Sequence, residues 1–202
     1  MKRLLIPVLL LLSLPLSGKI IQNGLLDQTF QKGLWDVRIG TYGDFSYYRR
    51  MDESRSEYRL SDIYSPYVSD ISSSVPIYAS ATWQLNKLFS FGLASVYERS
   101  IGTITDPMTS RQTGEKTENM LLLIPKAQVN YWSWKWGGFY GSVSAGAALY
   151  FGKDAGKGYI EAEPFLEAVP YGLWLGGKFY FYEETFFGTS MQGLRMGVGY
   201  RF

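Results

Sequence analysis

The sequence contains neither cysteine nor histidine. Without cysteine, the chain can form no disulfide, no thiolate nucleophile and no lipid-anchoring thioether. Without histidine, it lacks the side chain that most often serves as a general base and as a transition-metal ligand. After the first 18 residues, the longest apolar run is MLLLIP, at 120–125. That run is far shorter than the roughly 20 residues that a membrane-spanning helix needs.

The first 18 residues, MKRLLIPVLLLLSLPLSG, have the layout of a secretory signal peptide. Lys2 and Arg3 precede an apolar stretch at 4–16, which is too short for a membrane anchor and is followed by small residues. We expect cleavage near Gly18, which leaves 19–34 as a short periplasmic segment. The chain has 20 basic and 18 acidic residues. Removal of Lys2 and Arg3 makes these numbers equal, so we expect no nucleic-acid partner.

Aromatic residues (17%) and glycines (22 residues) are abundant. They lie in segments in which apolar and polar side chains alternate with the period of a β-strand. In the first segment, Trp35, Val37 and Ile39 alternate with Asp36 and Arg38. No segment has convincing helical periodicity, so the pattern predicts an all-β domain of eight strands. The eight segments are 35–48, 75–86, 89–98, 121–132, 139–151, 159–177, 178–188 and 193–202.

Two positions disturb the alternation. The pattern inverts after Pro170, which predicts a β-bulge there, because proline cannot donate to the strand ladder and a bulge exchanges the two faces. Glu183 and Glu184 are adjacent, so one of them must point to the apolar face. We expect Glu184 to lie on the polar face.

Two barrels share this alternation. One is a secreted soluble barrel of the lipocalin type, with the apolar face lining a cavity. The other is an outer-membrane barrel, with the apolar face toward lipid. The connections alternate between long and short, which is typical of outer-membrane barrels with long outer loops and short periplasmic turns. The long connections are 49–74, 99–118, 152–158 and 188–192, and the short ones are 87–88, 133–138 and 176–178.

Aromatic residues stand at both ends of the apolar face, as in the interfacial girdles of membrane barrels. One predicted rim contains Trp35, Trp83, Phe89, Trp132, Trp134, Trp136 and Tyr200, and the other contains Tyr47, Tyr97, Phe151 and Phe187. The polar face is rich in glycine, serine and alanine, which suits the narrow lumen of eight strands. The sequence therefore predicts an eight-stranded antiparallel up-and-down transmembrane β-barrel at 35–202, in the bacterial outer membrane.

Charged residues recur on the polar face, with both signs present. We expect them to form a network of ion pairs inside the lumen, because isolated charges there would be costly. The predicted carboxylates are Asp36, Asp44, Glu98 and Glu184, and the predicted cations are Arg38, Lys126, Arg195 and Arg201.

The last segments, PYGLWLGGKFYFYEETFFG and GLRMGVGYRF, resemble the end of the small outer-membrane barrel family common in Bacteroidota. The matching residues are Pro170, Gly172, Glu184, Gly197, Tyr200 and Phe202. Phe186 departs from the pattern, since the family typically has glycine there. The resemblance implies a fold and a membrane but little about activity. A terminal strand ending in Tyr200 and Phe202 also resembles the signal that the barrel-assembly machinery recognises.

The sequence predicts no enzyme. The known outer-membrane barrel enzymes use a histidine in catalysis, and this chain has none. Glu183 with Glu184, or the row Glu161, Glu163 and Glu167, could form an acid/base pair or a calcium site. Lumen salt bridges and a solvated rim account for these residues better, so we expect no metal and no cofactor.

The 49–74 connection is rich in arginine and tyrosine, the residues that dominate binding hot spots. The candidate residues are Arg49, Arg50, Arg55, Tyr58, Arg59, Tyr64 and Tyr67. They predict contact with lipopolysaccharide phosphates, which arginine binds well, or with a surface partner, by a monomeric barrel. A narrow channel or conduit for a small hydrophobic compound is the alternative function.

Overall fold

The computed structural model describes residues 33–43, 67–154, 156–189 and 191–202. Within these ranges no helix is long and apolar enough to cross a membrane. The expected signal peptide, and residues 19–32 of the expected periplasmic segment, lie outside the described residues. The strands are β1 (Trp35–Gly43), β2 (Tyr67–Ser73), β3 (Ile77–Gln84), β4 (Phe89–Thr105), β5 (Gln112–Trp134), β6 (Gly137–Asp154), β7 (Lys157–Gly176), β8 (Phe179–Gly188) and β9 (Gln192–Arg201).

Eight of these strands close into a ring by antiparallel pairing. β1 pairs with β3 on one side and with β9 on the other, and each strand from β3 to β9 pairs with the next. β2 pairs with β4 only, beyond the end of β3. The break between β2 and β3 is bridged by a hydrogen bond from Ser74 N to Arg99 O of 2.8 Å. β2 and β3 thus occupy one strand position of the barrel, with a break between them. The predicted eight-stranded barrel is confirmed.

The first and last strands close the ring up to the final residue. Phe202 N donates to Trp35 O at 3.0 Å, and Trp35 N donates to Phe202 O at 2.9 Å. Asp36 pairs with Arg201 in the adjoining register. No backbone edge is left at this seam, and an unpaired edge is the arrangement that a lipid environment would not tolerate.

The apolar face of the barrel points outward. On β3, Tyr78 and Gln84 are buried, whereas Ile77 and Trp83 are exposed by 53% and 39%. On β1, Asp36 and Arg38 are buried between exposed apolar neighbours. This arrangement contradicts the lipocalin-type alternative, in which the apolar face would line a cavity. The outer wall is apolar, and the interior holds the charges.

β7 contains the bulge that Pro170 predicts. Phe165 and Glu167 point inward before it, and Gly172 and Trp174 point inward after it. The pairing registers with both neighbouring strands shift at this place. On the next strand the alternation is unbroken, and Glu184 is fully buried.

Three of the connections are shorter than the sequence predicts, because pairing continues through them. β4 and β5 pair from Phe89 and Val129 up to Thr105 and Gln112, so the predicted 99–118 connection is reduced to 106–111. β2 lies inside the predicted 49–74 connection, and β6 and β7 pair through most of 152–158. In 99–118, β-branched residues such as Ile101, Thr103 and Ile104 favour continuation of the strand, although the polar residues of that segment suggested a loop.

The two ends of the barrel differ. The short turns at 85–88, 135–136 and 177–178 lie at one end, which we call the turn end. The connections at 106–111 and 189–191 lie at the other, the loop end. Since β4 to β7 are much longer than β1, β8 and β9, they project beyond the ring at the loop end. We call this projecting sheet the extension.

Candidate functional site

Glu184 lies at the centre of the lumen and accepts hydrogen bonds from side chains of four other strands. Lys126 Nζ and Arg38 Nη1 lie 3.0 and 3.2 Å from its Oε1. Arg195 Nη1 lies 2.8 Å from its Oε2. Tyr140 also donates its hydroxyl to Oε1 at 2.8 Å. A single carboxylate therefore connects β1, β5, β6 and β9 to β8.

Asp36 forms a second centre nearer the turn end. Arg38 Nη2 and Arg201 Nε both lie 3.2 Å from Asp36 Oδ2. Tyr180 donates its hydroxyl to Asp36 as well. Because Arg38 also donates to Glu184, its guanidinium joins the two centres into one lumen network.

Arg195 has a second carboxylate partner that the sequence did not assign to the lumen. Arg195 Nη2 donates to Glu167 on β7, and both side chains are fully buried. In the alternation pattern of the sequence, Glu167 falls on the same face of the strand as Glu161 and Glu163. Its depth in the ring distinguishes it, because β7 enters the closed ring at Glu167, the position that pairs with Gly188 of β8.

Aromatic rings enclose the cations of the lumen network. Arg195 Cζ lies 4.0 Å from the centroid of the Tyr78 ring, and Arg201 Cζ lies 3.9 Å from that of Trp174. Arg38 Cζ lies 4.5 Å from the Tyr140 centroid. Cation–π contacts of desolvated groups are worth about 2 kcal/mol. The lumen is thus lined by tyrosine and tryptophan as well as by the small residues that the sequence emphasised.

Glycine on the inner wall makes room for these rings. A Cβ built on Gly172 would lie only 2.5 Å from the Tyr140 ring. The glycine lets the ring lie against the backbone of β7 and reach Glu184. The sequence does contain a signal for this aromatic lining. Glycines at inward-facing positions of one strand lie opposite tyrosines at inward-facing positions of the next.

The lumen is closed at the level of the network. Arg38 and Arg195 are exposed by 1% and 0%, Lys126 by 2% and Glu184 by 0%. Because these four side chains are almost completely buried, no continuous aqueous passage runs beside them. Within the part of the chain that the structure describes, the barrel is a filled cylinder at this depth, as an eight-stranded ring favours.

The acidic groups considered for catalysis or calcium do not converge. Glu183 is exposed on the outer wall, whereas Glu184 is buried in the lumen, so the two carboxylates lie on opposite sides of β8. Glu161 and Glu163 lie on the extension, beyond Glu167. Among the described residues, no three acidic side chains are placed to hold a metal ion.

A groove of about 800 Å³ opens on the outer face of the extension. Arg99 of β4 stands on one side of it, and Lys153 and Phe151 of β6 stand on the other. Asn119 forms part of the floor, and Ile160, which is 81% exposed, completes the wall. The groove thus combines two exposed cations with exposed apolar side chains.

The floor of this groove is held by hydrogen bonds. Asn119 donates from Nδ2 to Phe151 O at 3.1 Å and accepts from Tyr97 OH at 3.0 Å. Tyr97 and Phe151 belong to the predicted aromatic rim at the loop end. The cationic groove therefore begins directly beyond that rim.

The remaining predicted residues are placed as follows. Glu98 is buried on the inner face of β4, nearer the loop end than the network. Tyr67 begins β2, where its backbone pairs with Thr105. Tyr200 and Phe202 are exposed by 48% and 59% on the outer wall at the turn end. Outside the described residues lie Asp44, Arg49, Arg50, Arg55, Tyr58, Arg59 and Tyr64.

Comparison with known proteins finds similarity at the level of solved structures. No family model matches the sequence, and no curated protein matches it. Among solved structures, the chain is similar to Ail, the attachment invasion locus protein of Yersinia pestis, which was crystallised in complex with the heparin analogue sucrose octasulfate. The sequence identity is 10% and the TM-score 0.45, over 85% of this chain and 100% of Ail.

Proposed function

We propose that this protein is a non-enzymatic β-barrel of the bacterial outer membrane that makes surface contacts through its loop end. The observation that carries the proposal is the reversed distribution of polarity: the charges are enclosed in the lumen, and the large apolar side chains are exposed around the outside. A contiguous apolar belt of this size is a liability in water and a requirement in lipid. The closed lumen argues against the alternative function of a channel through the barrel.

The aromatic residues support a membrane orientation. Trp132 and Trp136 are exposed by 49% and 62% at the turn end, and Tyr97 and Phe151 by 40% and 36% at the loop end. Such rings prefer the two headgroup levels of a bilayer. With the turn end in the periplasm, the extension stands on the outer surface. Assembly would then follow export, removal of the signal peptide and recognition of Tyr200 and Phe202 by the barrel-assembly machinery.

The loop end offers chemistry for an anionic partner. Arg99 and Lys153 flank the groove that begins beyond Tyr97 and Phe151, at the level where outer-leaflet phosphates would lie. Guanidinium and ammonium groups bind phosphate strongly, and the exposed Ile160 provides apolar contact. Together with the arginines and tyrosines of the predicted 49–74 connection, this groove favours lipopolysaccharide, or a surface partner of similar charge. The barrel acts as a monomer.

Two measurements test the proposal. The mature protein should sediment with outer membranes and migrate differently on gels before and after boiling; recovery as a soluble periplasmic protein without detergent would contradict it. Lipid A carrying its phosphates should raise the thermal unfolding midpoint of the refolded protein more than dephosphorylated lipid A does. The Arg99→Gln/Lys153→Gln variant should lose most of this difference. The control variant, Lys135→Gln/Lys178→Gln, changes two exposed lysines at the turn end and should keep it.

A further inference from the structure

Glu183 stands in the middle of the apolar outer wall. The outward positions of β8 are Phe179, Phe181, Glu183, Thr185 and Phe187, so a carboxyl group lies halfway between aromatic residues at both ends. Within the described ranges it is the only charged side chain on the outer wall between the two rims. No other described residue forms a hydrogen bond or an ion pair with its carboxyl group.

Its position is expensive in the proposed membrane. An ionisable group in the hydrocarbon region is disfavoured unless it is paired, and such residues mark functional sites. Long basic side chains can reach the interface from within the bilayer, but glutamate is too short to do so from the centre of the wall. Leu173 and Met196, its neighbours on β7 and β9, supply no donor. Among the described residues, nothing compensates a charge on this carboxyl group.

A groove surrounds the carboxyl group. It has a volume of about 670 Å³ and runs across the outer faces of β7, β8, β9 and β1 to the start of β3. Its wall is almost entirely apolar, with Glu183 as the single charged group. An apolar cleft of roughly 300 to 1,000 Å³ with one orienting polar group is the usual form of a small-molecule site. The large apolar side chains of the lining include Ile39, Ile77, Leu173, Leu175, Phe181 and Met196.

The chemistry of the groove identifies the occupant. A second copy of this barrel fits poorly, because its described outer wall has no cation at this depth and a two-fold contact would bring two Glu183 carboxyl groups together. Lipid headgroups lie about 15 Å away, at the surface of a hydrocarbon core of roughly 30 Å. The occupant must reach the centre of the hydrocarbon core and must offer a donor to the carboxyl group. An apolar molecule that carries an amine does both, since it dissolves in the hydrocarbon and supplies a charge-assisted hydrogen bond.

We propose that this groove binds a small, largely apolar amine, which enters from the lipid and donates a hydrogen bond from its ammonium group to Glu183. The apolar part packs against Ile39 and Met196. The inference rests on the proposed membrane location, but it concerns the wall of the barrel rather than its loop end. It assigns to Glu183 a role that the lumen network does not require.

Protection from a hydrophobic carbodiimide tests the site. Dicyclohexylcarbodiimide partitions into bilayers and modifies carboxyl groups there, and intact-mass spectrometry measures the adduct. With the protein in phospholipid nanodiscs, we expect one adduct, which Glu183→Gln abolishes and the solvent-exposed control Glu115→Gln retains. Dodecylamine should slow this labelling at least severalfold, whereas dodecanol, which has the same chain without the amine, should not. Labelling is counted as the carbodiimide adduct plus the dodecylamide, because the amine can attack the activated carboxyl group and release dicyclohexylurea.

A second variant separates occupancy of the groove from the reactivity of the carboxyl group. Ile39→Trp narrows the groove without removing Glu183, so labelling should persist and protection by dodecylamine should weaken. Equal protection by amine and alcohol, or labelling that dodecylamine does not slow, would overturn the inference. The same holds if Glu183→Gln labels as fast as the wild-type protein. If one of these contradicting results is obtained with a protein that inserts into nanodiscs, the amine site is wrong and the membrane location stands. A protein that does not insert into nanodiscs contradicts both the amine site and the membrane location.

Discussion

Lys126 on β5 and Glu184 on β8 form an ion pair of 3.0 Å across the lumen, with both side chains fully buried. The two strands are three steps apart in the ring, so the pair connects opposite parts of the wall. A buried pair of this kind adds little net stability over an apolar pair, but removal of one partner leaves an uncompensated charge. The lumen network therefore makes the barrel sensitive to single substitutions at its centre.

The adjacent glutamates of β8 provide a matched test of that sensitivity. Glu184→Gln leaves Arg38, Lys126 and Arg195 short of one carboxylate, and we expect it to lower the free energy of unfolding by about 3 to 5 kcal/mol. Glu183→Gln removes a charge that has no partner among the described residues, so it should leave stability unchanged or raise it. Urea unfolding of the refolded protein measures both. Equal losses for the two variants would show that Glu184 is not the centre of the network.

The contact between Gly172 and Tyr140 predicts a cost for one added methyl group. Gly172→Ala would place a Cβ 2.5 Å from the Tyr140 ring and displace its hydroxyl from Glu184. We expect a loss of roughly 1 to 3 kcal/mol, the usual range for overpacking. Gly177→Ala is the control, because no atom lies within 4 Å of the Cβ position there. Unchanged unfolding midpoints for both variants would mean that the ring moves aside freely.

The side chain of Phe202 should matter more for assembly than for stability. It is 59% exposed, so its truncation should cost well under the roughly 1.5 to 3 kcal/mol of a fully buried side chain. Phe202→Ala keeps the backbone bonds to Trp35, yet we expect it to reduce the amount assembled in cells severalfold. Phe179→Ala, at a similarly exposed position on the same rim, should assemble normally. Normal assembly of Phe202→Ala would contradict the prediction that this terminus is an insertion signal.

Tryptophan fluorescence can distinguish the two faces of the wall. A protein that retains only Trp132, which is 49% exposed, should be quenched strongly by lipids brominated close to the headgroup. A protein that retains only Trp174, which is buried against Arg201, should be quenched weakly by bromines at any depth. Substitution of the other tryptophans by phenylalanine produces both proteins. Comparable quenching of the two would contradict the placement of Trp174 in the lumen.

The alternation along each strand could be read from the sequence because it is a local property. Side chains of successive residues point to opposite faces wherever the backbone is extended. Asp36 and Arg38 therefore had to lie opposite Trp35 and Val37. The bulge near Pro170 was also predictable, since proline lacks the donor that an unbroken ladder needs.

The lengths of the strands were not predictable in the same way. Polar residues such as Arg99 and Glu118 resembled a loop in the sequence, yet β4 and β5 stay paired as far as Thr105. Backbone hydrogen bonds between strands do not require apolar side chains once the sheet has left the apolar belt. The extension and its cationic groove are thus products of pairing between strands.

By itself, the sequence determined the class of fold, the two faces of each strand and the exclusion of histidine and cysteine chemistry. Only the closed ring decided how deep each charged side chain lies in the lumen and which side chain it pairs with. Glu167 is distinguished from Glu161 by the height at which β7 meets β8, and its partner Arg195 lies 28 residues away. The outward position of Glu183 beside Met196 depends likewise on the register of β8 against β9. Alternation is set within one strand, whereas ion pairs and grooves require several strands to be held at defined offsets around the barrel.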